Sequence, residues 1–419
     1  MERLKAAWGR WKWERTLVLC LLAAYSAVWM FTDKTPWMHT TYCSYALQAR
    51  RWLTGHLDLG QDYPWLELAV YRGKYFVSFP PLPTLLVLPF VALFGVDGTP
   101  EYLIATLMSL AGAVAVFRLF GLYCREKRTA LLWALIATVG SNFLLIGYNG
   151  DVWLLAQTCA FTFTAAALYT AATPAERDGR WPLLLLACAV GCRPFNFVYL
   201  PVTAWLLVNK FRASGLTLSA ALRKHWPWLL PPLAVGLSYM ALNYARFDNP
   251  FQFGHDWLPE FIRSADHLQF AVKNIPVNFR EKLFALPEWR DGWLLFPKGG
   301  FAFFIASPVY ALGFILLLRE GFLRLRGKGT GSGAGLVLTG ACIALHFLLL
   351  CAHATMGGIQ WGLRYTIDAI PAACLGIGML WREEWGERLE GLLWATLIFG
   401  AGLNLTGTLA ILNDWPIFL

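Results

Sequence analysis

Apolar runs separated by short charged turns recur along this 419-residue chain, at 15–31, 101–122, 130–147, 153–172, 182–192, 195–209, 228–246, 300–318, 335–352, 366–381 and 391–412. Most approach the ~20 residues that cross a ~30 Å hydrocarbon core as helix. The pattern predicts an all-α polytopic membrane protein with about eleven transmembrane helices. Two longer polar, aromatic segments interrupt it, 32–100 and 247–299, and these are where chemistry can be housed. The first should carry juxtamembrane helices; the second, with Trp257, Trp289 and Trp293, reads as interfacial.

Two stretches break the rhythm. Residues 80–95 are apolar but short, with Pro80, Pro81, Pro83 and Pro89, which reads as an outer-leaflet helix that does not cross. Residues 181–209 are too few for two full spans. They read as a short hairpin turning at Arg193-Pro194, because the residue before a proline leaves the helical region. Residues 327–335 (GKGTGSGAG) read as a flexible linker.

Composition agrees: 57% of residues are apolar and 15% charged, against about 25% charged in soluble domains. The net charge of +9 could suggest nucleic acid, but the bases cluster at span ends. Arg3, Lys5, Arg10, Lys12 and Arg15 place the N-terminus in the cytoplasm by the positive-inside rule. Alternation then puts Arg125/Lys127/Arg128, Arg177/Arg180, Lys210/Arg212/Arg223/Lys224, Arg319/Arg324/Arg326/Lys328 and Arg382/Arg388 there too, and the C-terminus outside. Were 80–95 a full span, every later loop would invert. The first apolar run lacks a small-residue cleavage site and reads as a retained anchor. Most of the nine cysteines lie in apolar runs, and none forms a CxxC pair. The chain reads as one integral-membrane domain, 1–419, without a separate soluble domain, in a bacterial cytoplasmic membrane with its active face outward.

Three outer elements carry candidate chemistry. Asp33 and His39 in the first loop could take a proton from an acceptor hydroxyl, although either could equally be a polar residue at headgroup level. Asp58 could do the same or cap a turn. Asp151, in Tyr148-Asn149-Gly150-Asp151, is the acid of a tight outer turn and also a natural helix N-cap. The basic set is Arg193, Arg364 with Trp361 and Tyr365 in the glycine-rich 357–365 turn, and Arg72 and Lys74 of the first loop. Guanidinium groups at this level suit a lipid phosphate, or simply snorkel to the headgroups. Histidines His39, His56, His255, His267 and His353 show no i,i+4 zinc spacing, so no metal ligand is assigned; a divalent metal stays a minor alternative.

Several motifs together resemble the GT-C membrane glycosyltransferases, such as protein O-mannosyltransferases and aminoarabinose transferases. They are 53–59 (LTGHLDL), Gly73-Lys74-Tyr75-Phe76 leading into Phe79-Pro80-Pro81, Leu93-Phe94-Gly95, Gly150-Asp151, Arg193-Pro194 and Gly362-Leu363-Arg364-Tyr365. The resemblance implies sugar transfer from a polyprenyl-phosphate donor to a glycan, lipid or protein acceptor, with Asp151 as a second acidic position and the 80–95 stretch juxtamembrane. The chain departs from the pattern at Thr40-Thr41, where the family's catalytic acid falls, and at Phe79, where aminoarabinose transferases have a phosphate-binding lysine. Either Asp33 or His39 substitutes, opening into one cavity with Asp151 and Arg364, or the acceptor needs little base assistance, or the chain is a non-catalytic transporter or scaffold for lipid-linked saccharides.

Overall fold

The computed structural model describes residues 11–263, 269–329 and 333–418; Arg3, Lys5, Arg10 and the pair Asp266-His267 lie outside them. Among the described residues four helices are long and apolar enough to cross a membrane: Glu101–Phe120, Val152–Ala172, Gly333–Ala352 and Glu383–Leu412. Lys12–Met30, Leu230–Phe247 and Val309–Leu325 run for 19, 18 and 17 residues. The other expected crossings are built from shorter pieces, so the described residues hold fewer long uninterrupted helices than eleven.

The breaks have identifiable causes. The 130–147 run divides into Lys127–Ala137 and Phe143–Gly147. Between them Thr138 and Ser141 donate to the carbonyls of Ala134 and Ala137, and the Asn142 N–H leaves the ladder for the Ala306 carbonyl at 3.1 Å. The 181–209 stretch forms the expected hairpin. Helix Pro182–Val190 stops at Gly191, Arg193 is extended before Pro194, and a 3-10 turn Pro194–Tyr199 leads into helix Leu200–Ala213. A second 3-10 turn, Arg364–Ala369, precedes helix Ile370–Leu380.

The all-α expectation needs amending in the polar segments, each of which contains a two-stranded hairpin. Leu68–Tyr71 pairs antiparallel with Lys74–Val77, and Glu288–Arg290 with Trp293–Leu295. Arg72-Gly73 and Asp291-Gly292 form the two turns with positive φ at both central residues, as two-residue hairpin loops require.

Polar contacts sort the loops into two ends. Segments at the end expected in the cytoplasm bind one another: Arg118 to Glu14, Arg128 to Glu390, and Arg382 to Glu320. Segments expected outside also meet: His39 with Glu101, Thr40 with Asp151, Glu67 with Trp153, and Arg72 with Asp248. Asn413 near the C-terminus reaches the carbonyl of Phe31 at this same end. Within the 80–95 stretch the helix Leu82–Phe94 has 13 residues, about 20 Å at 1.5 Å per residue. The chain before it (Glu67, Ser78) and after it (Glu101) contacts the same group of outer residues. The chain therefore enters and leaves this helix at one end of the molecule.

Large aromatic side chains fill the bundle. Trp133 stacks on Phe120 at 5.6 Å, and Phe143 on Phe161 at 4.1 Å. Helix Glu101–Phe120 packs along Val152–Ala172, which in turn meets Pro182–Val190. This packing brings the Asp151 turn, the start of the 101–120 helix and the Arg193 turn together.

Candidate active site

A cavity of about 920 Å³ opens between the two polar segments. Its walls come from Glu67, Ser78 and Phe79 of the first loop, Asp151 and Trp153, Arg193 to Phe195, residues 251–256 with Glu260, and the 353–365 turn.

Arg193 and Arg364 share one wall. Their guanidinium carbons lie 4.9 and 4.6 Å from the centroid of the same Tyr365 ring, so they are separated by at most the sum of these distances. Both guanidiniums therefore lie beside one ring on the cavity wall. The two arginines are held differently. Arg193 Nε donates to Asp368 Oδ2 at 3.1 Å, and Asp368 is fully buried. Such a pair resists removal of either partner, because the other is then left as a buried uncompensated charge.

Arg364 is instead clamped through its backbone. Its N–H donates to Gln360 Oε1 at 3.0 Å, and its carbonyl accepts from Gln157 Nε2 at 2.7 Å. Gln360 also donates to the carbonyls of Met356 and Gly299, which ties the turn to the second outer segment. Gly362 has φ +62, and a Cβ there would meet Ala306 Cβ at 2.4 Å; only glycine takes both the left-handed backbone and the close approach. The guanidinium stays available. Nη2 donates to Tyr365 Oη at 3.1 Å, and buried Nη1 has no protein partner among the described residues.

Asp151 lies on another part of the cavity wall. It precedes helix Val152–Ala172, yet its carboxylate makes no capping bond. It accepts instead from Thr40 Oγ1 at 2.6 Å. Burial pushes the Asp151 carboxyl above the usual aspartate range, opposed by the Thr40 bond and by Lys34. Three further acids line the cavity. Glu67 accepts from Trp153 Nε1 at 3.0 Å, and Asp256 from Gln252 Nε2 at 2.7 Å. Glu260 is raised by burial and by the charge of Glu67. His255 and His353, with rings 5.7 Å apart, complete the lining. Burial pushes His255 down to about 4, helped by His353 and Arg193, and burial also lowers His353. No group of three or more His, Cys, Asp or Glu side chains poised around a metal position occurs among the described residues.

Several sequence candidates lie elsewhere. Asp33 is exposed just past helix Lys12–Met30 and does not line the cavity, because the chain runs over the surface there. His39 does not line it either. Its Nδ1 lies 3.0 Å from Glu101 Oε1, and this bond, the largest influence, raises the imidazole. The expectation that Asp33 or His39 joins Asp151 and Arg364 in one cavity is therefore corrected. Arg72 occupies a hairpin turn and pairs with Asp248 at the surface, and Lys74 is exposed beside it; neither reaches the cavity. Asp58 is tied to Arg51 and to the Gly60 N–H, as a turn-capping acid. Trp361 is buried, donates to Asn404 Oδ1 at 3.2 Å and packs against Phe296 and Phe301. It is a core residue rather than a cavity one.

The sequence reading missed Asp368, Glu101 and Gln360. Asp368 had a signal: a lone acid within an apolar run is expensive without a partner, and Arg193 needed one. Glu101 sits where an apolar run begins, after Thr99-Pro100, and passes for a helix-start acid. Nothing local marks Gln360 as the hub of its turn.

No family model matches the chain, and no curated protein matches its sequence. Solved structures do. ArnT from Cupriavidus metallidurans in its apo state matches with a TM-score of 0.51 at 12% identity, over 96% of this chain and 77% of that one. The same protein bound to undecaprenyl phosphate gives 0.52 at 13% identity, over 95% and 77%. The oligosaccharyltransferase of Archaeoglobus fulgidus in apo form gives 0.53 at 12%, over 98% of this chain but 57% of that one. The fold is that of the GT-C membrane glycosyltransferases. The archaeal enzyme, AglB, has also been seen with an inhibitory peptide and a dolichol-phosphate. This chain spans just over half of its length.

Proposed function

We propose that the protein transfers a sugar from a polyprenyl-phosphate donor to an acceptor on the outer face of the membrane. The observation that carries this reading is the single cavity shared by Arg193, Arg364 and Asp151. Two guanidiniums beside one tyrosine ring suit the leaving lipid phosphate, since fixed cations act most strongly where negative charge develops. Arg364, with a buried nitrogen left without a protein partner, makes the direct contact, and Arg193, anchored by Asp368, supports it. Asp151 takes the proton from the acceptor hydroxyl or orients it. Glu67, Asp256 and Glu260 offer acceptors for sugar hydroxyls. The lipid phosphates bound by proteins of the same fold support the donor class.

One observation favours a second reading, binding and movement of lipid-linked saccharides without transfer. Thr40-Thr41 stands where the resemblance expects an acid, and neither Asp33 nor His39 opens into the cavity. Purified protein incubated with undecaprenyl-phosphate-linked sugars and a panel of glycan, lipid and protein acceptors separates the two. Release of undecaprenyl phosphate with a glycosylated product supports transfer; saturable binding with no cleavage supports the rival.

A further inference from the structure

We propose that Thr40 is a positioning residue for Asp151: its hydroxyl holds the carboxylate in the cavity, and buried Glu101, paired with His39, holds Thr40. This rests on the proposed transferase reading and deepens it. The position where the family resemblance expects a carboxylate carries a hydroxyl donor, and that donor is aimed at the acid the cavity does contain. Thr40 Oγ1 donates to Asp151 Oδ1 at 2.6 Å while itself accepting from the Tyr42 N–H at 3.2 Å. Its backbone N–H donates to Glu101 Oε2 at 3.2 Å, and His39 Nδ1 lies 3.0 and 3.1 Å from the two Glu101 oxygens. Thr40 and Glu101 are both buried and neither lines the cavity. A carboxylate is thus present in this space, supplied by the helix that starts at residue 101, but one layer behind the cavity wall.

The arrangement fixes Asp151 from behind. The Asp151 N–H donates to Asn149 Oδ1 at 2.8 Å, which sets the turn, and the Thr40 hydroxyl then determines where the carboxylate points. Close packing leaves little alternative: a Cβ on Gly150 would meet Glu101 Cβ at 2.6 Å, so the 150–151 turn lies against the Glu101 backbone. The other charged and titratable groups facing Asp151 are Lys34, Cys43, Glu101, Tyr102 and Tyr148. Lys34 and the Thr40 bond favour the ionised carboxylate; burial opposes it.

The test is the pH dependence of Asp151 modification by a water-soluble carbodiimide, to which the carboxyl adds most readily when protonated; an amine then displaces the urea, and the amide is read by peptide mass spectrometry. Asp151→Asn supplies the blank. Thr40→Val, which removes the hydroxyl at nearly constant volume, should move the modification midpoint up by about one to two pH units, the effect of losing a hydrogen bond to an ionised acceptor. Thr40→Ser should restore it. The rising acid limb of any transfer activity should move with it. Should the valine not pack, Thr40→Ala gives the same reading. An unchanged midpoint in Thr40→Val or Thr40→Ala, or no restoration in Thr40→Ser, overturns the positioning role. The two claims fail separately. A midpoint that moves in a protein that never transfers sugar removes the transferase reading alone, and robust transfer with an immobile midpoint removes the positioning role alone.

Discussion

Replacing Arg364 by glutamine should weaken binding of undecaprenyl phosphate by about 10- to 100-fold without unfolding the protein. Arg364 is held through its backbone by Gln360 and Gln157, and neither bond involves the guanidinium. Its side chain donates within the protein only to Tyr365 Oη among the described partners. The substitution therefore removes one cation and leaves the turn supported. A hydrogen bond to a charged group is worth about 1.5–3 kcal/mol net, and each 1.4 kcal/mol is a factor of ten in affinity. Arg193 cannot restore the loss, because it is already engaged with Asp368. Arg193→Gln should behave differently: stranding a buried carboxylate costs about 3–5 kcal/mol, so melting temperature falls along with affinity. Native mass spectrometry or a thermal-shift titration with undecaprenyl phosphate, on the same preparations, reads both quantities. Arg364→Gln protein that binds within twofold of wild type would refute the assignment of the phosphate to this wall.

The His39–Glu101 pair makes stability depend on pH. Because the folded state raises His39 above its ordinary value of 6.5, its contribution is fully present below that value and is lost as pH rises through the raised one; His39→Gln should abolish this limb in urea or thermal melts between about pH 6 and 9. Gly407→Ala should lower the melting temperature, since a Cβ there would sit 1.9 Å from Trp361 and overpacking of this kind costs about 1–3 kcal/mol or more. Asp33→Asn, at an exposed position away from the cavity, should leave lipid-phosphate affinity and any transfer within twofold of wild type. A cysteine placed at exposed Asp97, with native thiols blocked, should react with an impermeant maleimide from the outer side; reaction only from the cytoplasmic side would reverse the topology.

Much of the architecture was legible because membrane burial writes itself as long apolar runs, and helices such as 101–120, 152–172 and 333–352 fall where those runs do. The Arg193-Pro194 turn was legible too, from proline chemistry and the shortness of the run. What was not legible came from contacts across the chain. The run that looks continuous breaks at 138–142, where the Asn142 N–H donates to the carbonyl of Ala306 in a distant segment. Arg72-Gly73 reads as a pair of surface residues until the flanking Leu68–Tyr71 and Lys74–Val77 are seen to pair. In the site, Arg193, Arg364 and Asp151 could be selected as charges beside glycine or proline breaks. Asp33 and Trp361 could not be excluded that way, because an exposed loop acid and a core indole have the same local signature as cavity residues. Thr40 was passed over for a simple reason: a hydroxyl gains its role only from Asp151, 111 positions away.

The central claim is chemical, that lipid phosphate and acceptor meet between Arg364 and Asp151. The most direct measurement is single-turnover cleavage of a panel of radiolabelled undecaprenyl-phosphate sugars by purified protein in lipid nanodiscs supplied with glycan, lipid and protein acceptors, comparing wild type with Asp151→Asn. The account predicts release of undecaprenyl phosphate by wild type, and a rate about 10²- to 10⁴-fold lower in Asp151→Asn, with donor affinity retained. Equal rates in the two proteins, or donor binding by wild type with no cleavage of any sugar in the panel, would contradict it.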